Sequence, residues 1–101
     1  MLTRESRLVV SPGVLFNLVD GEAVLLNQQT GLYFGLNELG SRIWTLIVDG
    51  ATLGKVQDEL VGDFDVGPEV LWSDIVELVA EMRNEGLVLD GPTPAGPSFG
   101  A

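Results

Sequence analysis

Hydrophobic and polar positions change their period once along this chain. From Val14 to Leu36 the apolar residues come in short runs rich in β-branched and aromatic side chains: Val14-Leu15-Phe16-Asn17-Leu18-Val19, Glu22-Ala23-Val24-Leu25-Leu26-Asn27 and Leu32-Tyr33-Phe34-Gly35-Leu36. Asp20-Gly21, a hairpin signal, separates the first two, and Gln28-Gln29-Thr30-Gly31 makes the next turn. Strands joined by turns this short form an antiparallel meander. From Asn37 the period becomes helical. Asn37 is an N-cap ahead of Leu39, Ile43, Leu46 and Ile47, and Asp49-Gly50 closes that helix. Thr52 caps a short second helix carrying Leu53, Val56 and Leu60, followed by a loop at Gly62-Asp63-Phe64-Asp65. Gly67-Pro68-Glu69 puts proline at the first position and an acid in the first turn of a long third helix. That helix runs to about Glu85, with Gly86 as its stop, and Leu87-Val88-Leu89 leaves it extended. The pattern is βββααα, an α+β fold.

The ends carry weaker signals. Residues 1–13 are expected to be a flexible lead-in, closing on the turn signal Ser11-Pro12-Gly13. Residues 14–89 are the folding unit. Residues 90–101, DGPTPAGPSFGA, are expected to be a disordered tail.

The third helix has more apolar surface than one buried face needs. On a wheel of about 100° per residue, Leu71, Ile75, Leu78 and Met82 form an ordinary core stripe. Trp72, Val76, Val79 and Arg83 form a second stripe about 100° away. Glu69, Asp74, Glu77, Glu81 and Asn84 cover the rest. Either the bundle buries both stripes, or the second one lines a groove for an apolar ligand segment. Trp and Arg favour the groove, being enriched where interfaces concentrate their energy. The third strand points the same way. Leu32 to Leu36 is apolar on both faces around one glycine and carries no charge to defend an edge. Such an edge is covered by helices, by a second copy, or by a peptide that adds as a further strand.

Composition narrows the chemistry. The 101 residues suffice for one domain. Five Lys and Arg against fifteen Asp and Glu, a net charge of -10, cannot form the phosphate-neutralising footprint of nucleic-acid binding, nor grip an anionic membrane. With no Cys and no His there is no disulfide, no zinc site of the usual kind and no Ser-His-Asp triad. Gly50-Ala51-Thr52-Leu53-Gly54-Lys55-Val56 is one residue short of a phosphate loop and has Val where the metal-binding hydroxyl belongs. Asp63-Phe64-Asp65-Val66-Gly67 lacks the ligands of a calcium loop. No cofactor or metal is expected, and the chain reads as a binding protein rather than an enzyme. It has no transmembrane run and no secretory signal, which makes the cytoplasm the expected compartment.

One resemblance fits these features. Val24-Leu25-Leu26-Asn27, Thr30-Gly31, Leu32-Tyr33-Phe34-Gly35-Leu36-Asn37, Gly40 and Ile43-Trp44 resemble the PqqD-like family. The resemblance continues through Leu46, Asp49-Gly50, Glu59-Leu60, Asp74-Ile75-Val76 and Gly86-Leu87-Val88. It implies a winged-helix-like fold of three strands and three helices. It implies a peptide chaperone, or recognition element for ribosomally made, modified peptides, that takes a precursor's leader peptide as an added strand. Leu32, Tyr33, Phe34 and Gly35 would offer the pairing edge, and Trp72, Val76, Val79 and Arg83 the helical wall. Val76→Asp or Val79→Asp is then expected to weaken leader binding and spare the fold. The free-standing length resembles two branches of the family, one serving lasso-peptide biosynthesis and one pyrroloquinoline quinone synthesis. The Tyr33-Phe34-Gly35-Leu36-Asn37 run and the acidic, Ala/Gly/Val-rich composition resemble the first, whose partners are a leader peptidase and a ring-closing, ATP-using cyclase. The alternatives are a chaperone for the pyrroloquinoline quinone precursor and a winged-helix DNA-binding regulator, the latter opposed by the charge. A third is a module whose edge strand pairs with itself.

Overall fold

The structure is a computed structural model, and it describes residues 2–91. Its elements in chain order are β1 (Leu8–Val10), β2 (Val14–Val19), β3 (Glu22–Asn27), β4 (Leu32–Gly35), α1 (Glu38–Val48), α2 (Leu53–Val61), α3 (Pro68–Asn84) and β5 (Val88–Asp90). β2, β3 and β4 form an antiparallel sheet in that order, and the three helices follow it.

The turns and caps behave as their residue types dictate. Val19 pairs with Glu22 across Asp20-Gly21, and both turn residues have positive φ, 53° and 82°. Aspartate followed by glycine is the pair that tolerates this geometry in a two-residue hairpin. Asn37 Oδ1 accepts from the Gly40 N–H at 2.8 Å, and Thr52 Oγ1 from the Lys55 N–H at 3.2 Å. Each occupies one of the four donors a helix start leaves free. Pro68 opens α3, and Gly86 ends it at φ 72°.

The meander alternates its faces. Ala23, Leu25 and Asn27 of β3 are buried against the helices, whereas Glu22 and Val24 are exposed. Register places Phe16 and Phe34 on either side of Leu25, so these belong to the inner face. Trp44 of α1 is fully buried and meets the Phe16 ring edge-to-face, centroids 5.4 Å apart. Ile43, Ile47, Leu53, Val56, Leu60, Leu71, Ile75, Val79 and Met82 complete the helical side of the core.

The N-terminal segment departs from expectation. Within residues 1–13, β1 pairs antiparallel with β5, Leu8 opposite Asp90 and Val10 opposite Val88, and Leu8 is buried. Ahead of β1, the Ser6 and Arg4 carbonyls accept from the Leu53 and Gly54 N–H groups at 2.9 and 2.8 Å. With Thr52 these carbonyls satisfy the first turn of α2. The segment is thus an integral part of the domain rather than a flexible lead-in. A three-residue strand is too short to show a period, and its partner lies at the far end of the chain. At the other end, Asp90 belongs to β5, and from residue 92 the expected tail lies outside the described residues.

Candidate functional site

The β4 edge is open. β4 pairs only with β3, and its other side has no strand among the described residues. The Leu36 N–H donates to the Ala23 carbonyl at 2.9 Å. Antiparallel ladders alternate, so Leu32, Phe34 and Leu36 direct their backbone groups to β3, and Tyr33 and Gly35 direct theirs outward. Two N–H donors and two C=O acceptors therefore stand on the edge. Tyr33 is 70% exposed and Leu32 51%, and no lysine, proline or bulge defends the strand.

A buried hydroxyl fixes where the strand stops. Ser41 Oγ accepts from the Ala23 N–H at 2.7 Å and donates to the Leu36 carbonyl at 3.2 Å. It sits where a direct ladder bond would close, so the chain turns into α1 without orphaning either group. Asn27 does the equivalent at the other end. Its Oδ1 accepts from the Gln29 N–H at 2.9 Å, and its Nδ2 donates to the Glu85 carbonyl, also at 2.9 Å. The β3–β4 turn is thereby fastened to the C-terminal end of α3.

Between β4 and α3 runs a groove. A hollow of about 690 Å³ is bounded by Tyr33 to Asn37, the start of α1 and Asp74, Leu78 and Glu81 of α3. A second, about 170 Å³, shares Phe34, Leu36, Leu78 and Glu81 and continues to Met82, Glu85 and Leu87. The floor is apolar: Phe34, Leu36 and Leu78 are half-buried and pack on the core. Gly40 lets α1 come this close, since a Cβ there would lie 3.2 Å from Asn37 Oδ1 and 3.5 Å from Leu78 Cδ2.

The edge residues expected from the sequence, Leu32, Tyr33, Phe34 and Gly35, form β4, and three of them border the groove. The helical wall is a different set of residues. Val79 is fully buried in the core. Trp72 lies with Arg4, Gln57 and Glu69 toward α2, and half-buried Val76 follows it one turn later. Arg83 is ion-paired with Asp90 of β5 at 3.3 Å. None of the four borders the groove. The buried stripe is Leu71, Ile75, Val79 and Met82, so α3 is turned about its axis by roughly a third of a right angle from the expected setting. That turn leaves Leu78 half-buried at the edge of the core and brings Asp74, Glu81 and Glu85 to the rim. Leu78 alone inside an acidic stripe at spacings of four, three and four was the available signal, and it reads equally well as core.

The rim carries one sign of charge. Asp74, Glu81 and Glu85 are exposed and take part in no salt bridge among the described residues, and no basic residue borders either hollow. Four of the five basic side chains are paired elsewhere, Arg4 with Asp58, Arg42 with Asp63, Lys55 with Glu59 and Arg83 with Asp90.

Comparisons with known proteins agree with this architecture. A solved structure described as TbiB1 in complex with the TbiA(beta) leader peptide is 33% identical, with a TM-score of 0.75, over 78% of this chain and 92% of that one. A lasso peptide synthetase B1 complexed with the leader peptide is 28% identical, with a TM-score of 0.74, over 84% of this chain and 98% of that one. No curated protein sequence matches. The family described as Coenzyme PQQ synthesis protein D (PqqD) matches residues 22–88, from the start of β3 into β5, and the chain belongs to that family.

Proposed function

We propose that this protein binds the leader segment of a ribosomally synthesised precursor peptide and presents it to separate processing enzymes, a leader peptidase and a cyclase, in lasso-peptide biosynthesis. The observation that carries the reading is the undefended β4 edge beside an apolar groove, in a chain 33% identical to a protein solved with a leader peptide. Leu32, Tyr33, Phe34 and Gly35 provide the pairing strand, and Leu78 with Leu36 the apolar anchor.

Magnitudes divide the work between strand and groove. Four backbone hydrogen bonds at Tyr33 and Gly35 contribute about 2–6 kcal/mol net. Micromolar affinity needs about 8 kcal/mol beyond the cost of immobilising the peptide. Strand pairing alone falls short, and side chains buried against Phe34, Leu36 and Leu78 supply the remainder at roughly 1.5–3 kcal/mol each. The edge therefore sets register and the groove sets identity. Holding the leader raises the local concentration of the attached core segment near an enzyme that docks on the complex. A precursor of pyrroloquinoline quinone is the alternative cargo that the family's description favours.

The direct test is fluorescence polarisation with a labelled synthetic leader from a short precursor gene adjacent to this one. Saturable binding that a scrambled peptide does not reproduce is the expected result. Absence of binding at tens of micromolar to folded protein would remove the reading and bring forward self-pairing of the β4 edge.

A further inference from the structure

Resting on the leader-binding reading, we infer that the groove selects a leader segment with an apolar side chain over Leu78 and a lysine or arginine about two residues to either side. Asp74 and Glu81 stand one turn before and just under one turn after Leu78 on the same flank of α3. Along the helix axis they are about 10 Å apart. A strand added to β4 directs every second side chain toward α3, at intervals of about 6.6–6.8 Å. Centred on Leu78, its side chains two residues before and after fall about 13 Å apart, beyond the two carboxylates by a distance that long, flexible Lys and Arg stems close. The pattern is symmetrical about its centre, so it holds for either strand direction.

The charges leave no other sign of partner. The two carboxylates have no cation among the salt bridges of the described residues, and Glu85 adds a third negative charge one turn further. An acidic side chain at either flanking position would face like charge across a narrow, partly apolar hollow, which disfavours it. A basic one gains two- to fivefold in affinity for each exposed pair, roughly.

The test is selection of a random 12-residue displayed peptide library on three full-length proteins: the native chain, Asp74→Lys/Glu81→Lys, and a control, Glu5→Lys/Glu69→Lys, with the same change in net charge away from the groove. The top native-selected peptide is then labelled and titrated. The native chain and the control should enrich basic-x-apolar-x-basic peptides. The groove variant should keep the apolar centre and lose or invert the flanks, and its affinity for the labelled peptide should fall three- to twentyfold. For the native chain, raising the salt from 50 to 500 mM should weaken binding severalfold. Apolar centres without basic flanks on the native chain, or equal losses in groove variant and control, would overturn the charge preference and leave the groove in place. Selected peptides that bind Leu78→Ala as tightly as the native chain would overturn the groove itself, and the charge preference with it.

Discussion

On one flank of α3, Trp72, Val76 and Arg83 run along α2, the N-terminal segment and β5; on the other, Asp74, Leu78, Glu81 and Glu85 face β4. By composition the first flank is the better candidate for a binding surface, with a tryptophan, a valine and an arginine. Its aromatic is instead partly buried against the core, near Arg4 and Gln57, and its guanidinium is paired at the surface with Asp90. The second flank has a single leucine among acids and borders an open strand edge. Residue type ranks candidate surfaces poorly; the neighbouring element decides whether a stripe is spent on the fold or left for a ligand.

Two adjacent residues of α3 separate the buried flank from the groove flank most sharply. Val79→Asp places a carboxylate among fully buried apolar groups, at a cost of several kcal/mol. We expect loss of the cooperative thermal transition by circular dichroism, in place of the selective loss of leader binding that the sequence suggested. Leu78→Ala, one residue earlier, should lower the melting temperature by only a few degrees and weaken leader affinity about tenfold or more. Equal behaviour of the two variants would mean that α3 is not set as described.

Ser41→Ala comes next. It leaves the Ala23 N–H and the Leu36 carbonyl buried without partners, for about 1–3 kcal/mol. In a domain of this size that is a fall of roughly 5–20 °C in melting temperature. A cysteine variant would restore little, since its sulfur is a weak donor and acceptor. The smallest effect should come from Arg83→Ala. Its pair with Asp90 is exposed, so stability should change by under about 1 kcal/mol and leader affinity by less than twofold. A tenfold loss of affinity there would return the wall to the flank first inferred from the helical wheel.

Much of the architecture was legible because it is written in local chemistry. Asp20-Gly21, Asn37, Thr52, Pro68 and Gly86 each meet a backbone requirement within a few residues, and the elements begin and end accordingly. The uncharged β4 was legible for the same reason. The rotation of α3 was not. A wheel gives the angle between stripes but not the direction of the core, which here is set by the elements α3 packs against, α2 and β5. The pairing of β1 with β5 was equally hidden, since it joins residues at opposite ends of the chain. The buried roles of Ser41 and Asn27 had no periodic signal, though Asn27 ends a run that carries the family resemblance and Ser41 lies between two of its positions, Gly40 and Ile43.

The hydroxyl of Ser41 also sets the length of the open edge. By ending β4 at Gly35 it leaves an edge of four residues, about 13 Å long, with outward-facing groups at only two of them. A long edge would let a peptide slide by two residues and trade each lost bond for an equivalent one. On this edge a two-residue slip forfeits half of the backbone bonds and moves the anchoring side chain off Leu78. If a leader binds there as proposed, the protein would work as a ruler with a single graduation. Under the proposed function, an enzyme cleaving the bound precursor would meet its site at a constant chain distance from a constant point.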